Sequence, residues 1–463
     1  MNSRLQHDLE HFSDILETTK LEANRILGGL ENRPAAVRPQ PFEFAKLSQS
    51  GIGFEATLEQ FKTRFEPGFS GSAGPRYLGF VTGGATPAAL AGDWLTSTLD
   101  NNPTSSLDSS AMDLERETIA MLREFFGISG AFSGCFVSGA TMSNFVGLAI
   151  AREWIAEQHG LSIAQDGMHA LGPITVLSGT VHSSTFKALS MLGMGRSSLK
   201  AVPLLEGREA VDVDALEKML EDLNGLPCIV VANSGTVNTV DFDDLERIAA
   251  LKSRFNFWLH VDAAFGAFAA LSPKFAHLVA GLEQADSICM DAHKWLNVPY
   301  DSAMQFNKRQ DLQVKVFQNS AAYLGLLTAN PDFVHLTPEN SRRLRALPAW
   351  FALNAYGLEG HREIIERHAG LARALGEKIS CSSEFELIAP VRLNVVCFTL
   401  KGADQTRVTK FIHDLRDGGE VFLTPTFLFG QPGIRAAFSN WRTSEHDLEI
   451  VWNAMIEAVK LRA

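Results

Sequence analysis

The chain has 463 residues, enough for two or three packed units with a large core. Its composition, 46% hydrophobic and 20% charged, is ordinary for a globular protein. A net charge of −12 argues against nucleic-acid and anionic-membrane partners.

Two further features of the sequence bear on location. The N-terminus is polar, and no apolar run approaches the length of a membrane span. The five cysteines are scattered, odd in number and without metal-ligand spacing, so we expect buried thiols in a reducing compartment and no metal site. Together these features predict a cytoplasmic protein.

The first part of the chain is predicted to be a helical arm. Apolar residues recur at roughly helical spacing through residues 4–27, and a second helix is predicted near Leu58 to Phe65. Such an arm needs a surface for its apolar stripe, either the protein's own body or a second subunit. We assign residues 1–76 to this arm.

The middle of the chain alternates between strand-like and helical patterns. A helix is predicted from Thr86 and Pro87, and another over about residues 111–126. The strand-like runs that follow are Cys135–Val137, Ile174–Leu177, Leu199–Pro203, Cys228–Ala232, Phe257–Val261, Ser287–Met290 and Ala303–Phe306. This alternation predicts an α/β domain over residues 77–350, with a mainly parallel seven-stranded sheet covered on both faces.

The last part of the chain is predicted to be a smaller α+β domain, residues 351–463. Two helices over 341–357 and 360–379 precede its strands, with the division between the domains near Pro348 to Gly360. Strands are then predicted at Phe385–Ile388 and Val395–Leu400 and near Val421 and Ile434, with helices at 404–416 and from Ser444. Residues 325–340, rich in turn-forming residues, are predicted to form a mobile loop.

Two neighbouring strand-like runs each deliver one polar group at a carboxyl end, where open α/β sheets bind ligands. These groups are Asp262 and Lys294. A lysine that forms a Schiff base, with an acid that partners a pyridinium nitrogen, is the equipment for pyridoxal phosphate. The alternatives are that Lys294 forms a buried ion pair, for instance with Asp262, and that Asp262 caps a helix.

These motifs resemble the group II pyridoxal-phosphate-dependent decarboxylases, which include the aromatic-amino-acid, histidine, glutamate and cysteine-sulfinate decarboxylases. The resemblance rests on residues 74–80, 91–102, 136–144, 181–189, 260–268, 285–302 and 341–360, in the family's order. It implies the type I, aspartate-aminotransferase-like fold of pyridoxal-phosphate enzymes. It also implies loss of CO2 from an L-amino acid to give an amine, and a homodimer with its active site at or near the subunit interface.

The resemblance also assigns roles to individual residues. The implied catalytic residues are Lys294 as the Schiff-base lysine, Asp262 beside the ring nitrogen and His182 stacked on the ring. The implied cofactor contacts are Ala140, Thr141, His182, Thr236, Asp262, Ala264, His293 and Lys294. The Ser138–Thr141 turn, which links a strand to a helix, is by itself a weak sign of a phosphate cradle.

The substrate is less well determined. Phe80 and Trp94 favour an aromatic side chain, which we predict, whereas Arg435 favours a carboxylate, since arginine binds carboxylates through two hydrogen bonds. Arg435 could equally form a packing ion pair between domains. The candidate substrate contacts are Phe80, Thr82, Arg435 and His335.

Two departures from the family pattern leave alternatives open. Asp291 stands where some relatives carry a neutral residue, so we expect it to face away or to pair with a cation. The loop 325–340 lacks the tyrosine that usually protonates the carbanion, and offers Phe333 and His335; Tyr323 precedes it. The alternatives are a decarboxylative oxidase giving an aldehyde, a decarboxylase of glutamate or another acidic amino acid, and an inactive pyridoxal-phosphate-binding paralogue.

Overall fold

A seven-stranded sheet forms the centre of the protein. In the computed structural model, which describes residues 1–319 and 329–460, its strands are β1 (Ser133–Val137), β2 (Val176–Ser178), β3 (Leu199–Ala201), β4 (Cys228–Asn233), β5 (Phe257–Asp262), β6 (Ser287–Met290) and β7 (Ala303–Asn307). They lie in the order β1-β7-β6-β5-β4-β2-β3. Only β7 runs antiparallel to its neighbours in this sheet, so the predicted, mainly parallel seven-stranded sheet is confirmed.

Helices cover both faces of this sheet and continue to the end of the chain. They are α1 (Ser3–Glu10), α2 (Phe12–Gly28), α3 (Phe54–Arg64), α4 (Pro87–Leu99), α5 (Ala111–Phe126), α6 (Ala140–Gln158), α7 (Ile163–Asp166), α8 (Ser183–Met191), α9 (Val213–Asp222), α10 (Leu245–Ala250), α11 (Ala292–Trp295), α12 (Gln310–Phe317), α13 (Ala346–Ser380), α14 (Gln405–Gly418) and α15 (Glu445–Lys460). Short 3-10 helices occur at Glu66–Gly68, Met168–Ala170, Arg196–Ser198, Leu251–Ser253, Gly266–Leu271, Ala276–Val279, Leu282–Gln284 and Phe333–His335.

The central strands are buried on both faces, which explains their apolar sequences. All residues of β4, β5 and β6 are buried. Along β5, Phe257, Leu259 and Val261 pack into one hydrophobic core, whereas Trp258 packs into the core on the opposite face, which includes residues of α6. Because side chains alternate along a strand, the polar end of β5, Asp262, points to the α6 face.

A second sheet forms the predicted small C-terminal α+β domain. Its strands β8 (Phe385–Leu387), β9 (Val395–Leu400), β10 (Thr424–Leu428) and β11 (Gln431–Ala437) are all antiparallel, in the order β10-β11-β9-β8. Helices α13 and α14 contact this sheet, and α15 contacts both of these helices. The four strands and both later helices lie close to the predicted positions.

The two domains are joined by α13, whose helical geometry breaks at Gly357 with φ 56° and ψ −167°. This break agrees with the predicted division into two helices near Gly357, where a positive φ favours glycine. Side chains up to Ala369 pack into the core of the large sheet, and those from Leu371 pack into the core of the small one. The domain boundaries at 76/77 and 350/351 stay predictions.

The N-terminal arm is the least buried part of the chain. Helices α1, α2 and α3 contain no buried residue, although the helices themselves form as predicted. Their apolar stripe lies open to solvent. Within the described ranges, we find no helix with the length and hydropathy needed to cross a membrane.

Candidate active site

A cavity of about 410 Å³ lies at the carboxyl ends of the large sheet's strands. The turns after β1, β2, β4, β5 and β6 all contribute to its wall, as expected for an open α/β sheet. The cavity brings together ten of the twelve predicted site residues: Phe80, Ala140, Thr141, His182, Thr236, Asp262, Ala264, His293, Lys294 and Arg435.

Lys294 lies in α11, directly after β6, and its amine is largely withdrawn from solvent. Nζ is 3.4 Å from Asp291 Oδ2 and 5.5 Å from the ring centroid of Phe265. The ion pair of Lys294 is therefore with Asp291 rather than with Asp262. Burial by itself raises the pKa of Asp291, but Lys294 and His293 outweigh it and hold that pKa below its usual value. Asp291 thus pairs with a cation, Lys294, which is one of the two arrangements expected from the sequence.

Asp262 ends β5, and both of its carboxylate oxygens accept hydrogen bonds. Oδ2 accepts from Asn144 Nδ2 at 2.9 Å, and Oδ1 accepts from the backbone N–H of Ala264 at 3.2 Å. The second bond is the local capping contact considered for the sequence, but the residue also lines the cavity. The carboxylate is therefore held in one orientation at the cavity wall.

His182 precedes α8 and acts as its N-cap. Its Nδ1 accepts from the Ser184 backbone N–H at 3.2 Å and lies 2.8 Å from Ser184 Oγ. Burial lowers the pKa of His182 even though Asp262 opposes this shift. The ring is therefore neutral near pH 7, with Nδ1 turned away from the cavity into the helix.

The turn after β1 presents the N-terminus of α6, which is 19 residues long, to the cavity. Ala140 and Thr141 form its first turn, whose backbone N–H groups lack helical acceptors and suit an anion. His293 lines the same cavity, with Nε2 3.1 Å from Asp291 Oδ1, while Nδ1 accepts from the Ser302 N–H at 3.2 Å. These groups can bind a phosphate.

Comparison with known proteins identifies the family of this fold and site. The model for the pyridoxal-dependent decarboxylase conserved domain matches residues 42–401. This chain belongs to the pyridoxal-dependent decarboxylase family. The aromatic-L-amino-acid decarboxylase of Bos taurus is 30% identical over 436 residues, which cover 89% of this chain and 87% of the bovine protein. That of Drosophila melanogaster is 30% identical over 360 residues, covering 76% and 69%.

The fold of this family member agrees with a solved structure. The Catharanthus roseus tryptophan decarboxylase in complex with L-tryptophan superposes with a TM-score of 0.85 at 21% identity, covering 99% of each chain. The predicted fold class, the pyridoxal-phosphate cofactor and an amino-acid decarboxylase are thereby confirmed. The cavity fits this cofactor, since it joins an amine, a carboxylate and a helix N-terminus within one wall.

In this decarboxylase the hydroxyl of Thr236 is used inside its own turn. Thr236 Oγ1 donates to Glu209 Oε2 at 2.7 Å and accepts from the Asp241 N–H at 2.9 Å. The buried Glu209 also accepts from Asn238 Nδ2 at 2.9 Å. Glu209 therefore shapes the turn that Thr236 contributes to the cavity, a role that the sequence did not indicate.

Arg435 reaches the cavity from β11 of the small domain and is only 7% exposed. Within residues 1–319 and 329–460, its Nε and Nη2 make no hydrogen bond. Burial lowers the pKa of Arg435, but a guanidinium stays charged in proteins. A buried cation without a partner is costly, so an anionic ligand is the expected complement.

The other predicted substrate residues lie beside or away from the cavity wall. Thr82 is buried behind it, with Oγ1 3.3 Å from the hydroxyl of Tyr300, an aromatic lining residue that the sequence analysis missed. His335 is buried elsewhere, with Nδ1 accepting from the Asn319 N–H at 3.1 Å. Their substrate roles stay predictions. Tyr323 lies outside the described residues.

None of the five cysteines lines this cavity. The five cysteines are unpaired, and all but Cys381 are buried, as the sequence indicated for most of them. In the described ranges, no three histidine, cysteine or acidic side chains converge as metal ligands would.

Proposed function

We propose that this chain decarboxylates an L-amino acid with an aromatic side chain. The observation that carries the proposal is the convergence of Lys294, Asp262 and His182 on one cavity with an aromatic wall. The relatives named as aromatic-L-amino-acid decarboxylases support the same substrate class.

Each group has a role in this proposal. When bound, pyridoxal phosphate supplies an electron sink for the electron pair left by departing CO2. Lys294 would hold the cofactor through its amine, Asp262 would keep the ring nitrogen protonated, and His182 would face the ring. The amides at Ala140 and Thr141 would hold the phosphate. Asp291, 3.4 Å from Lys294 Nζ, stabilises the charged form of that amine.

The substrate side chain is assigned from the apolar wall of the cavity. Phe80 lines it and is 55% exposed, so its ring is free to contact a ligand. It belongs to a cluster with Tyr77 and Phe422, whose ring centroids lie 6.3 and 5.8 Å away. Tyr300 adds a second ring. Aromatic pairs gain energy beyond their buried area, which favours an aromatic substrate.

A second candidate is an acidic amino acid, and it is favoured by Arg435, whose Nε and Nη2 have no hydrogen-bond partner among the described residues. A carboxylate on the substrate side chain would satisfy Nε and Nη2 in a bidentate pair. With an aromatic substrate, Arg435 would have only the α-carboxylate to bind. The two candidates therefore differ in what Arg435 contacts.

One experiment separates the candidates. CO2 release is measured from the protein loaded with pyridoxal phosphate against aromatic and acidic L-amino acids, with oxygen uptake followed in parallel. Release from tryptophan, tyrosine or phenylalanine without oxygen uptake supports the aromatic decarboxylase. Release from glutamate or aspartate supports the second candidate. Oxygen uptake with peroxide formation would indicate that the product is an aldehyde and not an amine. If CO2 were released from none of these amino acids, both candidates would be contradicted.

We further propose a homodimer with the active site at or near its interface. Leu5, Leu9, Phe12, Leu16 and Leu21 are each more than half exposed, and one continuous apolar stripe of this kind marks a protein contact. Analytical ultracentrifugation should give twice the chain mass for the wild type and a lower mass for Phe12→Glu. A wild-type monomer at micromolar concentration would contradict the dimer.

We also retain a cytoplasmic location as a proposal. It is supported by the five unpaired cysteines, which suit a reducing compartment. Fractionation of the native cells with antibody detection tests it, and recovery outside the cytoplasm would overturn it.

A further inference from the structure

A continuous chain of hydrogen bonds runs through the core behind Asp262. At its centre is Asn144 of α6, which is fully buried. Its Nδ2 donates to Asp262 Oδ2 at 2.9 Å and to Ser184 Oγ at 3.2 Å, and its Oδ1 lies 2.9 Å from His260 Nε2. His260 Nδ1 in turn lies 2.7 Å from Ser287 Oγ. Both N–H groups and the carbonyl of one amide are thus used.

The donor direction of this chain follows from its two ends. An ionised Asp262 only accepts, so the Asn144 amide must turn Nδ2 towards it and Oδ1 towards His260. His260 Nε2 must therefore carry a proton. The neutral ring has only this one proton, so its Nδ1 accepts, and the Ser287 hydroxyl donates to it while accepting from Trp258 Nε1 at 2.9 Å. Every donor points towards Asp262.

A side branch fixes His182 in the same way. Ser184 Oγ accepts from Asn144 and is left to donate to His182 Nδ1, 2.8 Å away. The Ser184 backbone N–H donates to the same nitrogen. The proton of a neutral His182 ring must then lie on Nε2. One amide therefore connects the two side chains that serve the cofactor ring in the proposed function.

The fold makes room for this chain at one glycine. Gly147 lies on the same face of α6 as Asn144, and a Cβ there would sit 2.6 Å from His260 Cε1 and 2.8 Å from its Nδ1. Burial lowers the pKa of His260 to about 4, which keeps the ring neutral and restricts it to one proton. A neutral His260 ring, with its proton fixed on one nitrogen, accepts a hydrogen bond at Nδ1 and donates one at Nε2.

We propose that Asn144 is a positioning residue that sets, through one amide, both the orientation of the Asp262 carboxylate and the Nε2-protonated form of His260. The role rests on the proposed function, because only there does Asp262 face the cofactor ring. The arrangement consists of protein side chains alone, so it can be measured without turnover.

The first test reads the two histidine rings in cofactor-free protein labelled with 15N-histidine. Two-bond 1H–15N NMR near pH 7.5 should show His260 and His182 with the proton on Nε2, with signals assigned by His260→Gln and His182→Gln. In Asn144→Leu, His260 Nε2 loses its acceptor, so the His260 signals should change, whereas His182 should stay protonated on Nε2 because the Ser184 backbone N–H still donates to its Nδ1. A wild-type His260 ring protonated on Nδ1, or His260 signals unchanged in Asn144→Leu, would overturn the proposal.

The second test measures pyridoxal-phosphate binding by equilibrium dialysis. Asn144→Leu should raise the dissociation constant about tenfold or more, since a bond to a charged group is lost. Asn144→Asp keeps an acceptor for His260 but has no N–H, so it should also weaken binding while His260 stays protonated on Nε2. If Asn144→Leu does not fold, the dissociation constant of Asn144→Asp provides the test.

Ser143→Ala is the matched control, a buried position on the same helix whose hydroxyl donates to the Met304 carbonyl at 2.8 Å. A dissociation constant for Asn144→Leu or Asn144→Asp within twofold of Ser143→Ala would contradict the proposal. Failure of the proposed function would be seen separately, as the absence of CO2 release from the wild type. In that case the histidine NMR signals would still test the hydrogen bonds around Asn144.

Discussion

The large-sheet side and the small-domain side of the cavity differ in whether their charged side chains have partners within the protein. On the large-sheet side, each reactive group has a partner from the protein: Lys294 has Asp291, Asp262 has Asn144, and His182 has Ser184. On the small-domain side, Arg435 is buried, and its Nε and Nη2 have no partner in the described ranges. The charged groups on the large-sheet side are thus paired by protein side chains, whereas those of Arg435 on the small-domain side are available to a ligand.

This difference indicates which side serves which ligand. A cofactor occupies the same place in every turnover, so groups held by fixed hydrogen bonds suit it without reorganisation. A substrate enters and leaves in every turnover. A buried cation that no protein carboxylate neutralises can bind an anionic group of that substrate. We therefore assign the cofactor to the large-sheet side and substrate recognition to the small-domain side.

The largest expected effect comes from removing the amine on the large-sheet side. Lys294→Ala should lower kcat by about 10⁴-fold or more, as loss of a central catalytic group does. CO2 release from the best substrate measures it. The control is Lys274→Ala, which removes a lysine exposed at the surface and paired with Glu366, and should leave kcat unchanged. Turnover within tenfold of wild type in Lys294→Ala would break the assignment.

A smaller effect is expected on the small-domain side. Arg435→Leu should raise KM by about 10- to 100-fold, the cost of losing a charged hydrogen bond to substrate, while the cofactor remains bound. Arg435→Lys should recover part of the loss. The exposed Arg407 provides a control, since Arg407→Leu should change neither constant. Unchanged KM in Arg435→Leu would assign the arginine to packing.

Substitutions of a charged residue on the two sides should also change Tm in opposite directions. In ligand-free protein, Arg435→Leu removes a buried charge that no described residue pairs through Nε or Nη2, and it should raise Tm by about 2–4 °C. Asp291→Ala leaves Lys294 and His293 without their shared partner and should lower Tm by a similar amount. Differential scanning calorimetry of the two variants tests this contrast. The same sign in both would contradict the comparison.

The smallest effect is a pH dependence at the junction between the sides. His368 Nδ1 accepts from Trp295 Nε1 at 2.8 Å, next to Lys294, and Nε2 lies 2.9 Å from the Asn440 carbonyl. Burial lowers the pKa of His368 from 6.5 to about 3. The unfolded chain therefore binds the proton more readily, and stability falls as pH drops from about 6.5 towards 3.

The slope of this dependence is at most about 1.4 kcal/mol per pH unit for one histidine. Tm recorded from pH 7.5 to pH 5 should therefore fall less steeply in His368→Gln than in wild type. Equal slopes in the two proteins would show that His368 is not protonated on unfolding in this range.

Much of the fold follows from local sequence patterns. Buried parallel strands such as β4 and β6 are continuous apolar runs, and the positions of Asp262 and Lys294 directly after two of them place both at one sheet edge. The sequence also placed Arg435 on a short strand of the small domain, but it did not decide whether the guanidinium is paired. That depends on side chains from distant segments.

The missed features share this cause. Asn144 and Asp262 are 118 positions apart in the sequence, and Thr236 and Glu209 are 27 apart, so only the packed fold brings their hydrogen-bonding atoms together. The direction of Asp291 was left open for a similar reason, because the turn between β6 and α11 decides which neighbours its carboxylate meets. Tyr300 lies within residues 285–302, one of the segments that carry the family resemblance, but no local sequence pattern indicates that its ring lines a cavity.

The most direct test of the central claim is to locate the cofactor on the chain. The wild-type protein is loaded with pyridoxal phosphate, reduced with borohydride, digested and analysed by mass spectrometry. We expect one phosphopyridoxyl group on the peptide that contains Lys294, and none on that peptide in Lys294→Ala. A modification on another lysine, or no modification of the loaded wild type, would contradict the account.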